Sequence, residues 1–301
     1  MRGSPATSRP LPASPASPAA LLPIRLVALD IDGTLVGDDA VLGERTRRAV
    51  RDAMAMGVLV VVATGRMPSS AMSFVDALGI RGPLIAYQGA LIRASPDPLH
   101  ARRRRTGLPL GRIISHTPMP AVVARDIVRW VRAYDLDPHL NHLERFILRA
   151  DDPGADDYSR FNGVDAELAP DLAGAITHPI TKILAAGEPE DVARAFGLAR
   201  EAFAGRATVT VSHPRFLEFL APGVSKGQAV RRVARSHGIP LGQAMAVGDQ
   251  YNDLEMIAAV GHGVAMPTAP AVVQAVARYI APPVEEEGAA QMIERLVLAR
   301  P

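Results

Sequence analysis

From Ile24 to Leu29 the chain is apolar apart from Arg25 and ends in Asp30, the pattern of a strand buried on both faces of a parallel sheet. Asp32-Gly33 then turns the chain. Glu44 to Met56 carries helical spacing, with Ala49, Val50, Ala53 and Met54 on one side and Arg47, Arg48 and Arg51 largely on the other, and Gly57 ends it. Val58 to Val62 predicts a second strand, Ser69 to Leu78 a second helix and Leu84 to Tyr87 a third strand. This β-α-β-α-β rhythm predicts an α/β fold with a doubly wound parallel sheet.

The rhythm changes near Ile92. An arginine run, Arg102 to Arg105, precedes a helix near Ala121 to Tyr134, a strand at Arg145 to Leu148 and a loop holding Asp151, Asp152, Asp156 and Asp157. A strand at Thr181 to Ala185, a helix at Pro189 to Phe203 and strands at Ala207 to Val211 and Phe216 to Leu220 follow. The first rhythm then returns: helix Ser225 to Ser236, strand Ala244 to Val247, helix Asn252 to Ala259, strand Val264 to Met266 and helix Ala269 to Ala277. The expected organisation is a disordered tail over 1–23, a core domain split between 24–91 and 213–301, and an inserted α+β domain over 92–212.

Composition narrows the function classes. The 33 basic residues nearly balance 31 acidic ones, so no long-range field gathers nucleic acid or anionic lipid. Without cysteine there are no disulfides, thiolate metal ligands or cysteine nucleophile, and any metal must be held by oxygen or imidazole. No apolar run reaches the roughly 18 to 20 residues that cross a bilayer, and the apolar stretch Pro18 to Ile24 is too short for a secretory leader. A cytoplasmic enzyme is the expectation. The arginine run and the four aspartates between 151 and 157 read as solvated surface, the aspartates lacking the closing glutamate of a calcium loop. Only Lys182 and Lys226 are lysine, so each stands out.

Four short motifs each follow an apolar strand or open a helix. Asp30-Ile31-Asp32-Gly33-Thr34 places two carboxylates at a strand's carboxyl end, where the period of two puts both on one side and where open α/β sheets bind ligands. Thr64-Gly65-Arg66 offers a hydroxyl and backbone N–H groups at a helix start, which suit a phosphate oxygen. Lys226 opens a helix after Gly223-Val224-Ser225, and Gly248-Asp249-Gln250-Tyr251-Asn252-Asp253 follows another strand. Each alone is ordinary turn or cap chemistry; together they converge on one crevice. Two carboxylates about 4 Å apart repel by roughly 4 kcal/mol at an effective dielectric of about 20, so Asp30, Asp32 and Asp249 call for a cation. A hard divalent ion, Mg²⁺, fits oxygen ligands and substrate phosphate.

These residues in this order resemble the haloacid dehalogenase superfamily of phosphohydrolases, from about Leu26 to Leu296, and the insert's position and the Gly223 to Gly227, Gly248 to Asp253 and Gly263 to Met266 segments resemble its Cof-type group with a C2 cap. The resemblance implies a Mg²⁺-dependent phosphatase of a small phosphorylated metabolite, a sugar phosphate above all. It implies Asp30 as nucleophile through an aspartyl-phosphate and Asp32 as general acid and base with its backbone carbonyl on the metal. Asp249 is then the direct metal ligand beside Asp30, and Asp253 a partner behind it. Thr64, Gly65, Lys226 and Asn252 are implied as phosphate-binding, with the cap closing over the substrate. Three departures stand out: Gln88-Gly89-Ala90 where many relatives have Asn first, Pro267-Thr268 after Met266 in place of Gly-Asn, and no Asn shortly before Gly288. A phosphomutase with the same core and a catalytically silent metabolite-binding module are the alternatives. Lys182 is the one cap residue considered for substrate contact, against an ordinary lysine on a sheet surface.

Overall fold

The computed structural model describes residues 23–95, 110–152 and 154–299. The arginine run 102–105 and residues 1–22 lie outside them. The first elements are β1 (Leu26–Leu29), α1 (Glu44–Ala55), β2 (Leu59–Ala63), α2 (Pro68–Ala77), β3 (Leu84–Ala86), β4 (Leu91–Arg93) and β5 (Ile113–His116). Then come α3 (Ala121–Ala133), β6 (Asp137–His142), β7 (Arg145–Arg149), α4 (Ala155–Asn162), β8 (Glu167–Ala169), β9 (Lys182–Ala186), α5 (Pro189–Ala202), β10 (Thr208–His213) and β11 (Phe216–Leu220). The chain finishes with α6 (Lys226–Ser236), β12 (Ala244–Gly248), α7 (Leu254–Ala259), β13 (His262–Ala265), α8 (Ala271–Val276), β14 (Tyr279–Ile280) and α9 (Gly288–Ile293).

These strands form two sheets, one in the order β14-β13-β12-β1-β2-β3-β4-β5 and one in the order β10-β11-β9-β6-β7-β8. The first is parallel from β14 to β3 and turns antiparallel at β4 and β5. Alternation along β1 explains why helices cover both faces. Leu26 and Ala28 pack with Ala229, Val230 and Val233 of α6, while Val27 and Leu29 join Ala49, Val50 and Ala53 of α1. This is the doubly wound α/β core.

The sheets redraw the expected borders at 92 and 212. Leu91–Arg93 and Ile113–His116 extend the first sheet, and Phe216–Leu220 pairs inside the second. Short antiparallel additions carry little periodicity of their own, so only pairing decides which sheet they join. In the second sheet Ile183, Leu217 and Phe219 are fully buried, with Trp130 of α3 and Phe203 edge-on to Phe219. The alternate positions on the opposite face include two charged residues, Lys182 and Glu218, among apolar ones such as Leu184 and Leu220.

Two surface expectations fail. Asp152 is not solvated: its buried carboxylate lies 3.2 Å from the buried His139 ring. Lys182 is buried as well, for reasons given below. Among the described residues no helix is long and apolar enough to cross a membrane.

Candidate active site

Parallel pairing of β1 with β12, Leu29 beside Val247, brings the loops after both strands out side by side. The Asp30 amide bonds the Val247 carbonyl at 3.1 Å, and the carboxylates of Asp30, Asp249 and Asp253 gather with ligand oxygens within 4.8 Å of one another. All three are buried. Gly33 makes this approach possible. It has φ +74°, and a Cβ there would sit 2.3 Å from Asp249 Oδ2.

Burial pushes the Asp30 carboxyl up to about 7, against the pull of Lys226, with Asp253 and Asp32 adding to the rise. Asp249 is pushed up to about 9 by burial and then by the charges of Asp30 and Asp253. Such crowding of buried negative charge needs a cation. Lys226 supplies one. Its position follows from the start of α6, where the Ser225 hydroxyl caps the helix by accepting the Gln228 N–H at 3.2 Å. The fully buried Nζ lies 2.7 Å from both Asp30 Oδ1 and Asp253 Oδ1. Burial opposes its charge, but Asp253 and Asp30 together outweigh burial and hold the ammonium above the ordinary lysine value.

One ammonium does not neutralise three carboxylates. The donor set left over suits a hard cation: Asp249 and Asp30 carboxylates, and Asn252 Oδ1, a buried acceptor without a hydrogen-bond partner among the described residues. Asp253 is otherwise engaged. Its Oδ1 holds Lys226, and its Oδ2 accepts the N–H groups of Asp249 and Gln250 at 3.0 and 3.1 Å. These bonds tie it to the loop that carries Asp249.

Asp32 is placed apart from this cluster. Beyond β1 the backbone no longer alternates as a strand, so Asp30 turns inward while Asp32 stays exposed. A guanidinium fork holds it: Arg66 Nε donates to Oδ2 at 2.8 Å and Arg66 Nη2 to Oδ1 at 2.5 Å. Arg66 is steadied in turn by Ser70 Oγ at 3.1 Å and the Phe74 ring at 4.8 Å. Its backbone N–H donates to Thr64 Oγ1 at 3.1 Å, so the buried Thr64 hydroxyl keeps its own proton for another acceptor.

Behind these residues runs a buried polar chain that motif reading missed. Asn252 Nδ2 donates to Gln88 Oε1 at 3.0 Å, and Gln88 Nε2 donates to Glu218 Oε2 at 2.6 Å. Glu218 Oε1 accepts from Lys182 Nζ at 2.8 Å and Ser212 Oγ at 3.0 Å, and Lys182 Nζ also reaches the Gly65 carbonyl at 2.8 Å. The signals in the sequence were the rarity of lysine and the departure at Gln88. Nothing marked Glu218. A cavity beside this chain is lined by Gln88, Lys226 and Asn252 together with Phe196, Arg200 and Thr210.

The family model of haloacid dehalogenase-like hydrolases matches residues 27–293. The phosphatase YwpJ of Bacillus subtilis (strain 168) is 27% identical, over 91% of this chain and 100% of its own length. The 5-amino-6-(5-phospho-D-ribitylamino)uracil phosphatase YcsE of the same organism is 29% identical, over 91% of this chain and 96% of its own. Among solved structures, a haloacid dehalogenase-like hydrolase from B. subtilis superposes with a TM-score of 0.77 at 25% identity, covering 91% of this chain and 100% of that one.

Proposed function

This chain belongs to the haloacid dehalogenase-like hydrolase family and is a phosphatase; from that premise we propose that it hydrolyses a small phosphorylated metabolite with Mg²⁺, through a phosphoryl group carried on Asp30. The observation that supports this most is Lys226 Nζ, fully buried and 2.7 Å from both Asp30 and Asp253. A lysine so placed pulls against the burial that favours a protonated Asp30 and offsets charge where an anionic nucleophile meets an anionic phosphoryl group.

Asp30, Asp249 and the Asp32 backbone carbonyl would hold Mg²⁺, which when bound offsets the negative charge of these carboxylates and of the phosphoryl oxygens. Asp30 attacks phosphorus in line and the phosphorus–oxygen bond to the leaving alcohol breaks. Asp32 gives that alkoxide a proton, and then takes a proton from the water that attacks the aspartyl-phosphate. The Thr64 hydroxyl, Gly65, Lys226 and the second N–H of Asn252 Nδ2 hold the phosphoryl oxygens, and Asn252 Oδ1, which can only accept, is left for the cation. Arg66 keeps Asp32 outside the buried cluster, beside the position of the leaving group. The non-phosphate part of the substrate lies against the second sheet, and the relative YcsE supports a substrate as small as a phosphorylated ribitylaminouracil.

The test is phosphate release from a panel of phosphorylated metabolites with and without Mg²⁺. Asp30→Asn should abolish turnover with the fold intact. Full turnover in excess chelator removes the metal from the reading, and an active, undeamidated Asp30→Asn protein moves the nucleophile elsewhere.

A further inference from the structure

Lys182 and Glu218 belong to no recognised motif and Gln88 departs from one, yet each is nearly inaccessible. Lys182 and Glu218 sit diagonally on adjacent antiparallel strands: Glu218 lies opposite Leu184, two residues along β9 from Lys182. Diagonal neighbours on one face are within reach of long side chains. Their ion pair, 2.8 Å long, is on the face of the second sheet turned toward the first. Gln88 meets them from the first sheet with φ +56°, a left-handed conformation that a side chain-bearing residue holds only when its surroundings enforce it.

We propose that Lys182, Glu218 and Gln88 form a positioning relay through which the second sheet sets the two sides of the phosphate site, with Thr64 and Asn252 read as phosphate-holding side chains as above. One arm runs from Lys182 Nζ to the Gly65 carbonyl. That carbonyl shares a peptide with the Arg66 N–H, which bonds Thr64 Oγ1, so the ammonium fixes the plane that aims the Thr64 hydroxyl. The other arm runs from Glu218 through Gln88 to one N–H of Asn252 Nδ2, which fixes the amide so that its second N–H is the group that can donate to a phosphoryl oxygen, while Oδ1, without a hydrogen-bond partner among the described residues, can only accept. Gly65 also packs under the relay, since a Cβ there would lie 2.3 Å from Gln88 Nε2. Glu218 joins the arms. One oxygen serves Lys182 and Ser212 and the other serves Gln88, so the carboxylate has no oxygen left over for substrate.

Removing a single charge would strand the other in the interior and threaten folding. The test therefore uses the double variant Lys182→Met with Glu218→Gln, which leaves no unpaired charge, and Gln88→Met, which removes both hydrogen bonds at similar length. The probe substrate is p-nitrophenyl phosphate, and inorganic phosphate is used as inhibitor. Both variants are expected to fold, to lose roughly 10- to 100-fold in kcat, and to bind inorganic phosphate more weakly. Adding Gln88→Met to the double variant should cost little more, because the three act as one unit. Folded variants with kcat and phosphate inhibition within about twofold of the parent overturn the relay. So does a rise in KM for a metabolite with kcat on the aryl phosphate unchanged, which would make these residues substrate contacts. Asp30→Asn run alongside separates the two readings: if it is dead while the relay variants are fully active, the phosphatase site stands and only the relay falls.

Discussion

At Asp32 the chemistry is split between two steps, and the Arg66 fork, which engages both carboxylate oxygens, must release one of them for a proton to be given or taken there. Asp32→Asn keeps the backbone carbonyl but removes the proton carrier. Hydrolysis of an alkyl phosphate should fall by about 10²- to 10⁴-fold, while an aryl phosphate, whose leaving group needs little protonation, should still label Asp30. Intact-mass detection of accumulated aspartyl-phosphate checks this; equal, unimpaired hydrolysis of both substrates would assign the proton transfers to another group. Arg66→Lys should also be impaired, because an ammonium cannot make two parallel bonds to one carboxylate. Of these residues, Asp30, Asp32 and Asp249 were legible because carboxylates after apolar strands are conspicuous. Glu218 was not, because a glutamate within a strand is ordinary until its partners are known.

At the scale of elements, the site depends on how strands end and helices begin. Ser225 caps α6 and so sets where Lys226 enters. Ser225→Ala should lower stability by about 1 kcal/mol, read by denaturant midpoint, with a loss of activity at 25 °C smaller than that of any Lys226 substitution. Gly33→Ala is expected to be worse for function than for folding. The left-handed backbone costs of order 1 kcal/mol, and the new Cβ would press on Asp249 Oδ2, so Mg²⁺ titration should show weakened affinity. Unchanged Mg²⁺ affinity in a folded Gly33→Ala protein would show that the Asp249 carboxylate is not the ligand. Helix and long-strand positions were readable from periodicity. The expected helix Asn252 to Ala259 instead begins as a 3₁₀ turn, Tyr251–Asp253, where Gln250 and Asp253 cap each other, and α7 starts only at Leu254.

For the whole molecule, the crowded carboxylates make stability depend on pH and on metal. Asp30 and Asp249 hold protons up to about 7 and about 9, whereas the unfolded chain loses them near 3.8. The folded state thus binds more protons across that interval, and stability falls as pH rises through it. Half-buried His142, held down to about 4, opposes this trend only below the ordinary histidine value of 6.5. Between pH 7 and 9 the metal-free protein should therefore lose thermal stability, and saturating Mg²⁺ should restore more of it at pH 9 than at pH 7. Calorimetry in buffers of different ionisation enthalpy should show protons released on Mg²⁺ binding near neutral pH. A metal-free Tm that climbs from pH 7 to 9, or metal binding without proton release, contradicts the carboxylate cluster as the cation site.

The doubly wound core and the identity of the acidic residues were determined by the sequence itself, because a strand buried on both faces must be a continuous apolar run and a ligand-binding edge must interrupt it with polar residues. The tertiary structure alone decided which short strands extend which sheet, since β4, β5 and β8 carry three or four residues and no period to read. It alone turned Lys182 from an isolated basic residue into a buried ion-pair partner of Glu218. It also set Gln88 between Asn252 and Glu218, contacts 164 and 130 positions apart along the chain. Hydrophobic pattern is a local property, legible wherever a few turns or strand repeats are in view. The pairing of buried charges is long-range, and only the folded chain brings those partners within hydrogen-bond distance.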